Sequence, residues 1–180
     1  MAMLRVVFAA LIFAACLAQG RADDGTDRLI TVFAKICHVV PDSVAAIGNL
    51  AIAQGFTPYA TSPLIADQGK SKDSLITWRL GSGRTRIDVT GFAAGGPEKH
   101  QLGCWVDGEV LPDSVLAALK PMLGEPSSRT VNDNGLTEMT WKIPAELSRN
   151  VVTLFFDQGK GVQRVGVYFD QFFEKAAPKP

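Results

Sequence analysis

Pro-Asp-Ser-Val stands twice in this chain, at Pro41-Asp42-Ser43-Val44 and at Pro112-Asp113-Ser114-Val115, and each copy opens an apolar stretch at helical spacing. A proline fits the first turn of a helix, where its missing N–H costs nothing, and an acid there meets the positive end of the helix dipole. Val44, Ile47, Leu50 and Ala51 supply the apolar face of one predicted helix, with Gly55 as its stop. Val115, Leu116, Leu119, Met122 and Leu123 supply that of the other. Three β-rich runs follow each helix: Leu75 to Leu80, Thr85 to Phe92 and Gln101 to Val106, then Leu136 to Ile143, Val151 to Phe156 and Val162 to Phe169. Turn signals separate them at Gly81-Ser82-Gly83-Arg84, Gly95-Gly96-Pro97, Asn132-Asp133-Asn134-Gly135 and Asp157-Gln158-Gly159-Lys160-Gly161.

Consecutive strands joined by short turns pair as hairpins, so this order predicts an α+β fold: an antiparallel sheet of about six strands with helices on one face, built as a tandem helix-plus-three-strands repeat. Trp78-Arg79-Leu80 and Trp141-Lys142-Ile143 occupy matching first strands. The helix motif recurs after 71 residues (41 to 112) and the tryptophan after 63 (78 to 141), so the spacers between helix and strand differ in length. Val165, Val167 and Phe169 alternate with Arg164, Gly166 and Tyr168, the pattern of a strand buried on one side. Val151 to Phe156 is apolar on both sides and is expected at the centre. Ahead of the repeat, Leu29, Ile30, Val32, Phe33, Ile36 and Cys37 predict a further helix, with residues 23 to 28 as a frayed lead-in. Thr57 to Ser74, with Pro58, Pro63 and Gln68-Gly69, reads as a long surface loop. Residues 176–180 read as a disordered tail.

The N-terminus bounds where such a domain works. Arg5 gives a basic start, Val6 to Ala18 are free of charge, and Gln19-Gly20-Arg21-Ala22 turn polar and small, the order of a cleavable secretory signal peptide over residues 1–22. Its apolar run of about 13 residues is shorter than the ~20 needed to cross a bilayer as a helix. Phe13-Ala14-Ala15-Cys16 also has the form of a lipobox, with Cys16 as the lipidated residue, although the Phe and the continuing hydrophobic run favour ordinary cleavage. Residues 23–175 then form a single domain, periplasmic or secreted, with Arg5 and Arg21 lost and all 18 acids kept. The resulting charge, near −2, gives no footprint for nucleic acid, and no basic cluster suggests an anionic membrane.

Export leaves Cys37 and Cys104 where disulfides persist, and pairing is expected, with a pair of buried thiols as the alternative. Catalytic signals are sparse. His38 reads as the cap of a helix end, and His100 with Cys104 makes an incomplete zinc set even with Cys37-His38 added. Gly81-Ser82-Gly83-Arg84-Thr85 lacks the ending of a phosphate loop, and Asp133-Asn134-Gly135 lacks the twelve-residue calcium pattern; both read as turns. Asp88, Asp107, Glu109 and Glu138 stand in or beside strands, each more simply a solvated side chain than half of a catalytic pair. No catalytic residue, metal site or cofactor is therefore assigned. Trp78, Trp105, Trp141 and Tyr168 are the candidates for an interaction surface, should several be exposed together.

The helix with Val115, the Leu123-Gly124-Glu125-Pro126 turn, the strand with Trp141, the strand Val151-Val152-Thr153-Leu154-Phe155-Phe156-Asp157 and the Gly159-Lys160 turn leading to Val162 carry a resemblance. Over residues 112–169 the chain resembles the small outer-membrane assembly lipoproteins and their relatives, the tandem-repeat β-lactamase inhibitory proteins among them. The first half has Gly55-Phe56-Thr57-Pro58 in place of Gly-x-Pro. The resemblance implies a scaffold that binds another protein across a sheet face. The expectation is an exported, non-enzymatic domain with an envelope protein as partner, set against a small periplasmic hydrolase or ligand-binding protein with a carboxylate-containing cleft.

Overall fold

The computed structural model describes residues 25–63, 74–95, 99–143, 149–157, 159 and 161–174. The expectations for residues 1–22, for Cys16 and for the tail at 176–180 lie outside them. Among these residues the architecture is α+β, one open sheet of eight antiparallel strands with three helices packed against it. In chain order these are α1 (α-helical over 25–32 and π-helical over Phe33–Cys37), α2 (Val44–Ala53), β1 (Thr57–Pro63), β2 (Ser74–Leu80), β3 (Ile87–Gly95), β4 (Lys99–Val110), α3 (Pro112–Leu123), β5 (Ser128–Val131), β6 (Leu136–Ile143), β7 (Arg149–Asp157) and β8 (Gln163–Glu174).

The strands lie in the order β1-β2-β3-β4-β8-β7-β6-β5, two four-stranded meanders joined along their longest strands. Their registers repeat. Trp78 faces Val89 as Trp141 faces Val152, Thr77 faces Thr90 as Thr140 faces Thr153, and Phe92 faces Gly103 as Phe155 faces Gly166, each pair displaced by 63 residues (78 to 141). The same displacement carries Trp105 onto Tyr168, and those two pair directly across β4 and β8. An approximate two-fold axis therefore passes through the sheet between them.

Eight strands, not six, and four per half, not three, correct the sequence expectation. β1 reads as loop because it holds Pro58 and Pro63, but an edge strand has an unpaired side where a missing N–H is harmless, and β1 pairs only with β2. β5, Ser-Arg-Thr-Val with every residue exposed, carries no hydrophobic alternation and pairs only with β6. Trp78 and Trp141 thus stand on the second strand of each half. The unequal spacing falls not between helix and strand but between the first two strands, where 64–73 in one half answer 132–135 in the other. β7 is interior, flanked by β6 and β8, while β4 and β8 form the central pair.

The helices cover the face carrying Trp78, Val89, Val106, Val167, Leu154 and Met139, alternate residues of six adjacent strands and all buried. α1 begins at residue 25, inside the expected frayed segment, and buries Leu29, Val32, Phe33 and Ile36 in that core. Ser43 caps α2 by accepting a hydrogen bond from the Ala46 amide (3.1 Å), so Asp42 precedes the helix instead of lying in its first turn. The second copy starts earlier, with Pro112 at the head of α3 and Asp113 in its first turn. Cys37 and Cys104 are disulfide-bonded, tying the end of α1 to the middle of β4.

Gly48 lies where α2 crosses Trp78, and a Cβ there would sit 2.5 Å from the indole Cζ2. Alanine is worth ~1 kcal/mol over glycine in a free helix. Gly48→Ala is nevertheless expected to lower the unfolding free energy by about 1–3 kcal/mol, because buried Trp78 cannot give way without disturbing the core. Urea unfolding of the variant checks the sign.

Candidate functional site

A sheet covered by helices on one side has a second side, and here it carries the unusual residues. Register places Phe92, Trp105, Tyr168 and Phe155 on it, one on each of the four central strands. Their rings form a continuous row: Phe92 to Trp105 4.8 Å, Trp105 to Tyr168 4.9 Å and Tyr168 to Phe155 4.8 Å between centroids, tilted or edge-on throughout. Such tilted contacts match the positive edge of one ring to the negative face of the next. Two glycines make the row possible by letting rings lie down on the backbone. A Cβ on Gly103 would sit 1.7 Å from Phe92 Cε1, and one on Gly166 would sit 2.5 Å from Tyr168 Cε2. Threonines flank the aromatics, Thr77 and Thr90 sharing a hydroxyl hydrogen bond (2.9 Å) across β2 and β3.

Charge is arranged differently at the two ends of the row. At one end Asp88, 4% exposed, accepts a two-pronged hydrogen bond from Arg79, Nε at 2.7 Å and Nη2 at 3.0 Å. Arg164 reaches the same carboxylate at 3.0 Å and also pairs with Asp107, while Arg86 stands 3.4 Å away. Tyr59, set out of register by a bulge in β1, covers the Arg79 guanidinium at 3.2 Å from its ring centroid. Burial pushes the Asp88 carboxyl up, but hydrogen bonds from Arg79 and Arg164 and the charges of Arg79 and Arg86 outweigh it, holding it below the usual carboxylate range. The hydrogen bond to Asp88 raises the Arg79 guanidinium in turn.

At the other end Asp170 stands half-buried beside Trp105, accepting a hydrogen bond from the Gln101 amide at 3.2 Å. Burial pushes its carboxyl above the usual range, against the pull of Gln101 and the Trp105 indole.

The four aromatic candidates separate. Trp105 and Tyr168 join this face, whereas Trp78 (5% exposed) and Trp141 (2%) are core residues under the helices and contribute to no surface. The Trp141 indole N–H donates to the Gly124 carbonyl at 3.1 Å, locking α3 to β6. His38 ends α1, its ring against Phe33 and Phe169, and His100 stacks on Phe173 at 4.4 Å. Cys104 is engaged in the disulfide, and no group of three or more His, Cys, Asp or Glu able to hold a metal ion occurs among the described residues. Asp88 and Asp107 are cross-strand partners, but arginines neutralise both, which removes them from acid–base work. The segment at 81–85 is the β2–β3 connection with a single 3-10 turn. Asn132 Oδ1 organises the β5–β6 turn by accepting from the amides of Asn134 and Leu136. A cleft of about 1350 Å³ at the sheet end is lined by Asp27, Arg28, Arg84, Arg86 and Glu109 among others, with no histidine or cysteine among the described lining residues.

Sequence reasoning missed Phe92, Phe155, Arg79, Arg164 and Asp170 as members of one face. The 63-residue displacement could have found most of it, since it superposes Phe92 on Phe155, Thr90 on Thr153, Gly103 on Gly166 and Asp107 on Asp170. No family model matches the chain, and neither a curated protein nor a solved structure matches it. No helix among the described residues is long and apolar enough to cross a membrane.

Proposed function

We propose that this chain is an exported, non-enzymatic protein-binding domain whose helix-free sheet face docks another envelope protein. The aromatic row across β3, β4, β8 and β7 is the observation that carries the reading. An antiparallel sheet with one open side ordinarily presents polar residues to water, and a centre of Phe, Trp and Tyr bordered by arginine and aspartate is instead the composition of an interface core and rim. The signal-like N-terminus and the disulfide support a periplasmic or secreted location, since such bonds persist in oxidising compartments. The resemblance of residues 112–169 to the outer-membrane assembly lipoproteins and the β-lactamase inhibitory proteins points the same way.

A photo-crosslinking amino acid in place of Phe155, on the open face, tests it in cells that export the protein. A discrete protein adduct is expected from that position and none from Ile52, an exposed apolar residue of α2. Adducts from Ile52 alone, or from neither position, would reject the open face as the docking surface.

A further inference from the structure

An open sheet ends in two edges, and the internal two-fold makes these edges twins, β1 at one side and β5 at the other. Each presents a row of backbone N–H and C=O groups to whatever strand comes alongside. The twins are not treated alike. β1 is guarded: Pro58 and Pro63 remove donors, and a register shift between Pro58 and Ala60 throws Tyr59 over Arg79. β5, Ser128–Val131, has neither proline nor register shift, is exposed at every residue and pairs among the described residues with β6 alone.

The free side of β5 can be read group by group. The Asn132 amide donates to the Leu136 carbonyl at 3.0 Å, which makes that pair a hydrogen-bonded one. Alternation along the register then turns the N–H and C=O of Ser128 and Thr130 inward to Thr140 and Glu138, and those of Arg129 and Val131 outward. Two copies of such a strand, antiparallel about Thr130, are self-complementary. Arg129 of each meets Val131 of the other with a donor and an acceptor on both, and Thr130 meets its own copy as a close pair without ladder bonds. The arginine falls opposite a valine that is 46% exposed, on which its aliphatic stem packs, so no like charges meet.

We propose that the chain pairs with a second copy of itself along β5, joining two sheets into one across a two-fold axis at Thr130. The guard on β1 closes the assembly. A contact of β5 with β1 would be head-to-tail and leave a free edge for the next copy, whereas β5 on β5 is isologous and stops at the dimer. The axis stands normal to the sheet, so both helix-free faces look the same way. This contact lies apart from the open face and stands or falls without it.

Sedimentation velocity of the exported, disulfide-bonded protein from ~1 μM to ~1 mM is expected to show reversible conversion of monomer to dimer, the range that so short a contact predicts. Thr130→Cys is expected to give a covalent dimer on mild oxidation, because the facing Cα atoms of a close pair lie ~4.5 Å apart. Arg129→Cys is expected to give none, its own copy lying beyond the ~7 Å that a disulfide spans. Val131→Pro removes an outward N–H that the ladder to β6 does not use, and is expected to weaken the dimer about tenfold with the urea midpoint little changed. A monomer throughout the range, equal crosslinking from both cysteine positions, or a dimer indifferent to Val131→Pro would overturn the proposal.

Discussion

Reducing the Cys37–Cys104 disulfide is expected to lower the unfolding free energy by about 4 kcal/mol, because it frees a loop closed over a sequence separation of 67. Domains of this size are stable by only ~5–15 kcal/mol, so the loss is a large fraction of the whole. The bond joins the end of α1 to β4, one of the two central strands, and α1, which precedes both meanders, also packs apolar side chains into the core. Once reduced, Leu29, Val32, Phe33 and Ile36 must hold the helix without the tether, and the unfolded chain regains the freedom that the tether denied it. Urea midpoints with and without reductant measure the effect. The paired substitution of both cysteines by alanine serves as a second measurement, since it removes two buried side chains as well as the bond and so should cost at least as much. Identical midpoints in the oxidised and reduced protein would mean that the core alone sets the stability.

How much of this was legible in the sequence depends on which force set each element. Hydrophobic periodicity set α2, α3, β2 and β6, and the structure places those elements where the pattern puts them, β6 spanning Leu136–Ile143 residue for residue. β1 and β5 were illegible because pairing to a neighbour, not apolar burial, makes them strands; their residues are proline, serine and threonine as readily as any loop's. α1 starts earlier than its apolar run, and Thr26 in its first turn, a polar residue that no apolar periodicity marks, is buried against the fold. The open face was half legible. Trp105 and Tyr168 stand out as aromatics, but so do Trp78 and Trp141, and only the parity of each residue within its strand, fixed by register, decides which side of the sheet it occupies. Val151 to Phe156 looked doubly buried for a real reason: one side packs under the helices and the other joins the aromatic row. The carboxylates were least legible of all: Arg86 stands two residues before Asp88, but nothing local shows Arg79 of β2 and Arg164 of β8 converging on the same carboxylate.

Those arginines set the second large effect. Asp88→Ala is expected to destabilise the fold by about 3 kcal/mol at neutral pH, because deleting one partner of a buried charge network strands the others. Arg79 would keep the Tyr59 ring above it and lose both of its hydrogen bonds to the carboxylate, and Arg164 would retain only Asp107. The pH dependence has a definite sign. The folded state holds the Asp88 carboxyl below its unfolded value, so the unfolded chain binds the proton more readily; the stabilisation is complete above the ordinary aspartate pKa of about 4 and is lost as the pH falls through the lower folded value. Asp170 has the opposite sign. Burial raises its carboxyl, so the folded state binds the proton more readily, and stability falls as the pH rises from about 4 through that raised value. Asp88→Asn and Asp170→Asn, equal in chemistry and on one sheet face, should therefore move a urea midpoint at pH 7 in opposite directions, down and up. Two downward shifts would show that Asp170 is satisfied within the chain. An upward shift at Asp170 is what a carboxylate produces when burial makes its charge costly to the folded domain, so that the neutral amide is the more stable occupant.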